Sequence, residues 1–257
     1  MRPAAPRVVA KVPFTFAHPA AVLPLVRHRG LCAVALVAGA VAPDFEYFLR
    51  FSMRSSVSHT WPGLWSFGLP VALALTALFF VVARGPLLMA LPPGLRARLW
   101  SLAEPPVGWR AAVVIPASAA VGVATHLVWD GFTHAGGDFV RLFPALRQIH
   151  LHLPLFGELV LYRALQHAST LVGLAAIAVC LLAARPDPGA DPRRTPGVAA
   201  VMWSTVLAGG LVVVTLHPPG AVSLATTVVR VLDGMMLGGL VASVGLRLGP
   251  WRPHVDI

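Results

Sequence analysis

His18, Asp44, His59, His126, Asp130 and His134 are residues of the metal-ligand type, and they stand in four short polar stretches that border or interrupt apolar sequence. The stretches are Phe14-Thr15-Phe16-Ala17-His18-Pro19, Ala42-Pro43-Asp44-Phe45-Glu46-Tyr47, Ser58-His59-Thr60, and the run from Thr125 to His134. Imidazole and carboxylate are the ligands of zinc, manganese and non-haem iron. Ionisable side chains in or beside a membrane span are costly, which makes them functional-site candidates. The first hypothesis is a divalent metal site, zinc before manganese or iron, at the mouth of a helix bundle.

On a helix, residues four apart lie one above the other, so His126 and Asp130 point to the same side. His134 continues that stripe if the helix runs on, although Gly131 and Gly136-Gly137 predict a break nearby. The pair needs complementary ligands, and His18, Asp44 and His59, each at an expected helix terminus, can supply them. A metal with an open position lowers the pKa of water to about 7. Glu46 is the candidate catalytic carboxylate, placed to orient a ligand imidazole or to accept a proton.

Each residue also has a plainer reading. His126 with Asp130 makes a structural hydrogen bond between helices, Asp44 caps a turn after Pro43, and His18 opens a helix before Pro19. His59 sits at an interface, His134 in a loop, and His167 bonds across helices or joins the site. The conjunction carries the signal: of ten acidic residues, Asp44, Glu46 and Asp130 lie within or beside the His-bearing stretches.

The elements that must position these groups are membrane helices. The chain is 57% hydrophobic and only 12% charged, with a mean hydropathy of +0.76. Average soluble domains carry about 25% charged residues, so the bilayer is the expected solvent. Two short apolar runs come first, Pro19 to Val26 and Leu31 to Ala42, each too short for a span of about 20 residues. They read as a half-helix hairpin, a re-entrant element, or tilted helices packed inside the bundle.

Spans are expected over Leu64 to Ala83, Ala111 to Trp129, His167 to Ala184, Val198 to Leu216 and Ala221 to Leu248. Arg84 to Arg110, with Arg96, Arg98 and Trp100, reads as a segment holding an interfacial helix. Pro144 and Pro154 argue against one continuous helix through Gly131 to Leu165. The expected fold is an all-α, polytopic transmembrane bundle with short N-terminal helices and one interfacial helix. Its expected divisions are a site-bearing region over 1–184, a linker over 185–197, and two C-terminal helices within 198–257. Alternation of spans puts Asp44, His59 and Asp130 on one membrane face, opposite Arg84 to Arg110 and Arg185 to Arg194.

The formal charge of +10 comes almost wholly from arginine clustered between apolar runs. That placement fits contact with anionic headgroups. No aromatic-basic surface pattern supports nucleic acid as a partner. Cys32 and Cys180 both lie in apolar runs and read as small core residues. Met1 to Lys11 is basic but lacks the apolar core of a signal peptide after it. Arg230 and Asp233, three apart, share a helix face and could pair inside the bundle. Trp61, Trp65, Trp100 and Trp109 read as belt anchors.

The order His, then Pro-Asp-x-[Asp/Glu], then [Ser/Thr]-His-[Ser/Thr], then [Ser/Thr]-His-x-x-x-Asp-x-x-Thr resembles the bacterial membrane-bound metal-dependent hydrolase family. The matching pieces are His18, Pro43 to Glu46, Ser58 to Thr60, and Thr125 to Thr133. The opening from Val12 to Ala20 (VPFTFAHPA) is more similar still to a related bacterial family of integral membrane proteins of unknown function, and that similarity extends at least through Gln166-His167. More distantly, the His and Asp set is similar to that of zinc-dependent phospholipases C. Two departures stand out: Glu46 where the hydrolase family has Asp, which keeps a carboxylate, and His134 where it tends to have Pro, which adds a ligand.

The expected function is hydrolysis of an ester or phosphoester by metal-activated water, in a multi-pass protein of the cell membrane. Membrane lipid is the expected partner and a lipid-linked molecule the natural substrate. The ligands would be His18, Asp44, His59, His126 and Asp130, with His134 next and Glu46 beside them. The alternative is a transporter or scaffold with a structural metal or ion path, and a third reading is a polar network without metal.

Overall fold

A computed structural model describes residues 15–153, 157–193, 195–216 and 222–249. The basic opening Met1 to Lys11, the Val12 to Phe14 part of the opening motif, and the His217 to Gly220 connection lie outside the described residues.

The chain is an all-α polytopic bundle. Among the described residues, five runs are long and apolar enough to cross a membrane: Trp61–Ala90, Trp109–Leu142, Leu161–Ala183, Pro196–Leu216 and Leu224–Leu248. They match the five expected spans with shifted ends. The first apolar run forms a 3₁₀ segment, Thr15–Val22. The second forms α1, Ala33–Val41, followed by a 3₁₀ turn over Ala42–Asp44 and α2, Phe45–Leu49. Both runs are packed inside the bundle.

The helix α3 runs over Trp61–Ala90 with two π-helical turns, Leu64–Gly68 and Phe79–Ala83. Its start is set by Thr60, an extended residue whose hydroxyl accepts from Gly63 N at 3.0 Å, and by Pro62 in the first turn. This boundary leaves His59 immediately outside the helix. Arg84 to Ala90 continues α3, so the segment expected to be interfacial contracts to the short helix α4, Pro93–Leu99.

Arg96 in α4 is fully buried. Its guanidinium donates to the carbonyls of Leu88, Met89 and Leu91, and to those of Asp191 and Arg193. The first three are at the C-terminal end of α3, where carbonyls lack helical partners and cations are favoured. The last two tie the 185–197 linker to the same end of the bundle.

The helix α5 spans Trp109–Thr133. It packs on α1 backbone to backbone. A Cβ on Gly39 would lie 2.2 Å from Ala119 O, and one on Gly122 would lie 2.2 Å from Leu36 O. Only glycine permits that approach, and it brings the C-terminal end of α1 against the last turns of α5.

Beyond α5 the chain breaks as the glycines and prolines predict. Two short helices follow, α6 (Asp138–Leu142) and α7 (Ala145–Gln148), then an antiparallel strand pair, β1 (His150–Leu153) with β2 (Gly157–Val160), which the sequence reading did not expect. The remaining helices are α8 (Leu161–Ala183), α9 (Pro196–Leu216) and α10 (Leu224–Leu248). The last two pack on each other, with Gly209 and Gly234 in backbone contact, and on the end of α3 through Met89, Ala90, Met202 and Leu246.

Two expectations are corrected. Arg230 and Asp233 do not pair: Arg230 donates to Phe51 O at 3.2 Å, and the buried Asp233 keeps Oδ2 without a hydrogen-bond partner. Cys32 is buried but Cys180 is exposed on α8, because it falls on the outward stripe of a helix apolar on most of its surface.

Candidate metal centre

His126 and Asp130 lie on the last turns of α5, both buried. Nδ1 of His126 is 2.8 Å from the carbonyl oxygen of Ala40 on α1. A carbonyl can only accept, so Nδ1 carries the hydrogen and Nε2 is the nitrogen that faces the site. Asp44 leaves the 3₁₀ turn after α1 and is 1% exposed.

His59 enters from the loop before α3. Glu46 builds that loop: its carboxylate accepts from the backbone N–H groups of Ser56, Val57 and Ser58 and from the Ser56 hydroxyl, and it pairs with Arg50. Burial alone would raise its pKa, but the three amides outweigh it and hold the group well below the usual carboxylate range. With its oxygens engaged in this way, Glu46 is a positioning residue, orienting His59 through the loop. His59 Nδ1 is 2.8 Å from Ser58 Oγ, and Nε2 turns inward.

The inward atoms converge. His59 Nε2 lies 3.1 Å from Asp44 Oδ1 and 3.4 Å from Asp130 Oδ2. His126 Nε2 lies 3.7 Å and 3.4 Å from the same two oxygens, and 3.4 Å from His59 Nε2. Two ligand atoms on a tetrahedral zinc, each about 2.0–2.1 Å from it, stand about 3.3 Å apart. Only the His59–Asp44 distance falls within an ordinary N–H···O hydrogen bond of about 2.7–3.2 Å. The spacing therefore fits shared coordination better than mutual hydrogen bonding.

His18 and His134 flank the other side of the carboxylates. His18 Nε2 is 3.6 Å from Asp130 Oδ1 and 4.0 Å from Asp44 Oδ2, and its ring stacks on His126 with centroids 3.9 Å apart. Burial, then the neighbouring His126, lowers the His18 pKa to about 4, so the ring is neutral at neutral pH, as a ligand must be. Asp44 is held below its ordinary range: burial pushes up, but His126, His59 and His18 together outweigh it. His134 is the first residue past α5, extended, with Nδ1 3.3 Å from Asp130 Oδ1. The helix stops one residue short of the stripe, yet the side chain still reaches Asp130.

All six ligand-type residues named from the sequence thus meet in one place, drawn from four stretches of the chain. The sequence reading missed Gln166, whose side-chain amide is 3.2 Å from His134 Nε2, and Tyr47, whose ring centre lies 5.4 Å from that of His59. Burial, and then Asp44, raises the Tyr47 phenol above its usual range, so it stays protonated. Gln166 stands immediately before His167 at the start of α8.

The chain belongs to the family DUF4184, a domain of unknown function. The match covers residues 12–244, taking in every residue of the centre. No match was found among curated proteins or among solved structures. For this DUF4184 member, the site geometry is the guide to chemistry.

A cavity of about 960 Å³ opens beside the centre. His59, Asp130 and His134 line its inner wall, and Tyr47, Tyr162 and Gln166 its sides. Arg50, Arg54, Arg141 and Arg163 also line it. Trp61 and Asp138 close part of the rim through an indole N–H to carboxylate bond of 3.2 Å. A packed apolar cluster that includes Ala119 and Val123 of α5 with Cys32 and Ala35 lies one to two turns before His126 along α5.

Proposed function

We propose that the protein is a membrane-embedded, metal-dependent hydrolase that cleaves a phosphoester, with a lipid or lipid-linked molecule as substrate. The observation that supports this most is the cluster of His59, His126, Asp44 and Asp130 at coordination spacing, on the wall of a cavity. The donor set is nitrogen and oxygen only, which suits zinc, manganese or iron. A divalent ion held there supplies Lewis acidity and, by lowering the pKa of water to about 7, a nucleophile at neutral pH.

The chain's own residues supply the rest. His126 is fixed by the Ala40 carbonyl and His59 by the Glu46-braced loop, so both rings are pre-oriented. The four cavity arginines favour an anionic substrate, since guanidinium matches phosphate oxygens in pairs. That favours a phosphoester over a neutral carboxylic ester. The resemblance to membrane-bound metal-dependent hydrolases points the same way, and five helices able to cross a membrane would set the cavity near a headgroup layer, here assigned to the cell membrane.

The transporter reading needs a polar path beyond the centre. The apolar cluster that precedes His126 along α5, with the Gly39–Gly122 backbone contact, weighs against such a path. The test is turnover of a chromogenic phosphodiester and of phospholipid in mixed micelles by the purified, metal-replete protein. Hydrolysis abolished in Asp130→Asn supports the proposal. Equal rates in the wild type and the variant would refute it.

A further inference from the structure

The two carboxylates of the centre each divide their oxygens between two sides. Asp130 turns Oδ2 toward His59 and His126, and Oδ1 toward His18 and His134. Asp44 turns Oδ1 toward His59 and His126, and Oδ2 toward His18. The centre therefore has two lobes, with two imidazoles on each side of a pair of carboxylates.

The lobe of His18 and His134 is the less satisfied one. Asp44 Oδ2 and Asp130 Oδ1 are buried there, and neither has a hydrogen-bond partner. An anionic oxygen out of contact with water needs a donor or a cation. Among the described residues, no Arg or Lys forms an ion pair with either carboxylate. A void of about 20 Å³ is lined by His18, Asp44, Asp130 and His134. That is room for about one small occupant.

We propose that this lobe holds a second divalent ion, so that Asp44 and Asp130 bridge a two-metal centre. The inference rests on the metal reading above and extends it. His18 Nε2 is one terminal ligand of the second ion, and His134 Nδ1 is the other once the Gln166 side-chain amide turns so that its oxygen accepts from His134 Nε2–H. Paired ions of this kind sit about 3.5–4 Å apart and clamp the attacking and leaving oxygens of a phosphoryl group between them. The two sites are unequal. The separations on the His18 and His134 side run from 3.3 to 4.0 Å, against 3.1 to 3.7 Å on the other. The His134 side chain is 36% exposed, on the cavity wall. The second ion is thus the weaker and more exchangeable.

The test uses the full-length protein in detergent, loaded with zinc and desalted, with metal and protein quantified on the same sample. Two zinc per chain are expected in the wild type and one in His134→Ala, a partly exposed side chain whose loss should leave the fold intact. Loading with manganese gives an independent readout. The wild type should show an exchange-coupled electron paramagnetic resonance spectrum, and His134→Ala the six-line spectrum of an isolated ion. One zinc per chain and an uncoupled manganese spectrum in the wild type would overturn the two-metal proposal while leaving the single-metal reading standing. No bound metal in the wild type would overturn both.

Discussion

The Ala40 carbonyl oxygen lies 2.8 Å from Nδ1 of His126. This contact fixes the imidazole tautomer and turns Nε2 to the carboxylates, and it exists because α1 and α5 touch through glycine. Gly122→Val would set a side chain where even a Cβ meets Leu36 O at 2.2 Å and Ala40 N at 2.8 Å. The expected result is destabilisation of about 1–3 kcal/mol together with weakened metal binding. Gly94→Ala, with no atom within 4 Å of the added Cβ, should change neither. Thermal unfolding in detergent and chelator competition measure the two effects, and a Gly122→Val protein with wild-type affinity would show that the crossing does not position His126.

Glu46 acts on the centre through His59. Glu46→Gln replaces a carboxylate that accepts from three backbone amides by a group with one acceptor oxygen, and should loosen the loop. Metal affinity should fall about 10–100-fold, the usual effect of losing a group that supports a ligand. His59→Ala should cost more. Equal losses in the two variants would make Glu46 a ligand in its own right.

Arg96 is a stability residue with no part in the site. Its loss leaves the Leu91 carbonyl without this donor, while Leu88 O keeps the Leu91 N–H and Met89 O keeps the Thr195 hydroxyl, at about 1–3 kcal/mol for a buried unsatisfied group. Arg96→Ala should lower the melting temperature but leave metal per folded chain unchanged. Arg96→Lys should rescue little, because an ammonium cannot reproduce the fork of five donors. Altered metal content in folded Arg96→Ala would contradict this separation of roles.

Arg54 and Arg163 line the cavity. Replacing both by alanine should raise KM for an anionic phosphoester about tenfold or more, weaken inhibition by inorganic phosphate, and leave metal content intact. An unchanged KM with a lowered kcat would argue that the arginines do not bind substrate.

The convergence of these six polar residues was legible in the sequence because each carries a side-chain signature at an apolar boundary. The four-residue spacing of His126 and Asp130 placed both on one face, and Pro43 marked the turn that delivers Asp44. The Ala40 carbonyl could not be found this way, since a backbone acceptor has no signature. Glu46 was expected to orient an imidazole or accept a proton, but its hold on the amides of Ser56, Val57 and Ser58 was hidden because loop amides do not announce their acceptor. Arg96 read as interfacial because an arginine among Pro, Gly and Leu looks the same whether it faces headgroups or caps a neighbouring helix. The strand pair β1–β2 has four residues per strand, too few to show a period of two.

Elemental analysis of the detergent-purified protein beside His126→Ala and Asp130→Asn tests the central claim most directly. The account predicts zinc, manganese or iron in fixed ratio to the wild-type chain, with the metal lost or weakened in both variants while each still inserts and remains monodisperse. A metal-free wild type, or full retention of metal in both variants, would contradict it.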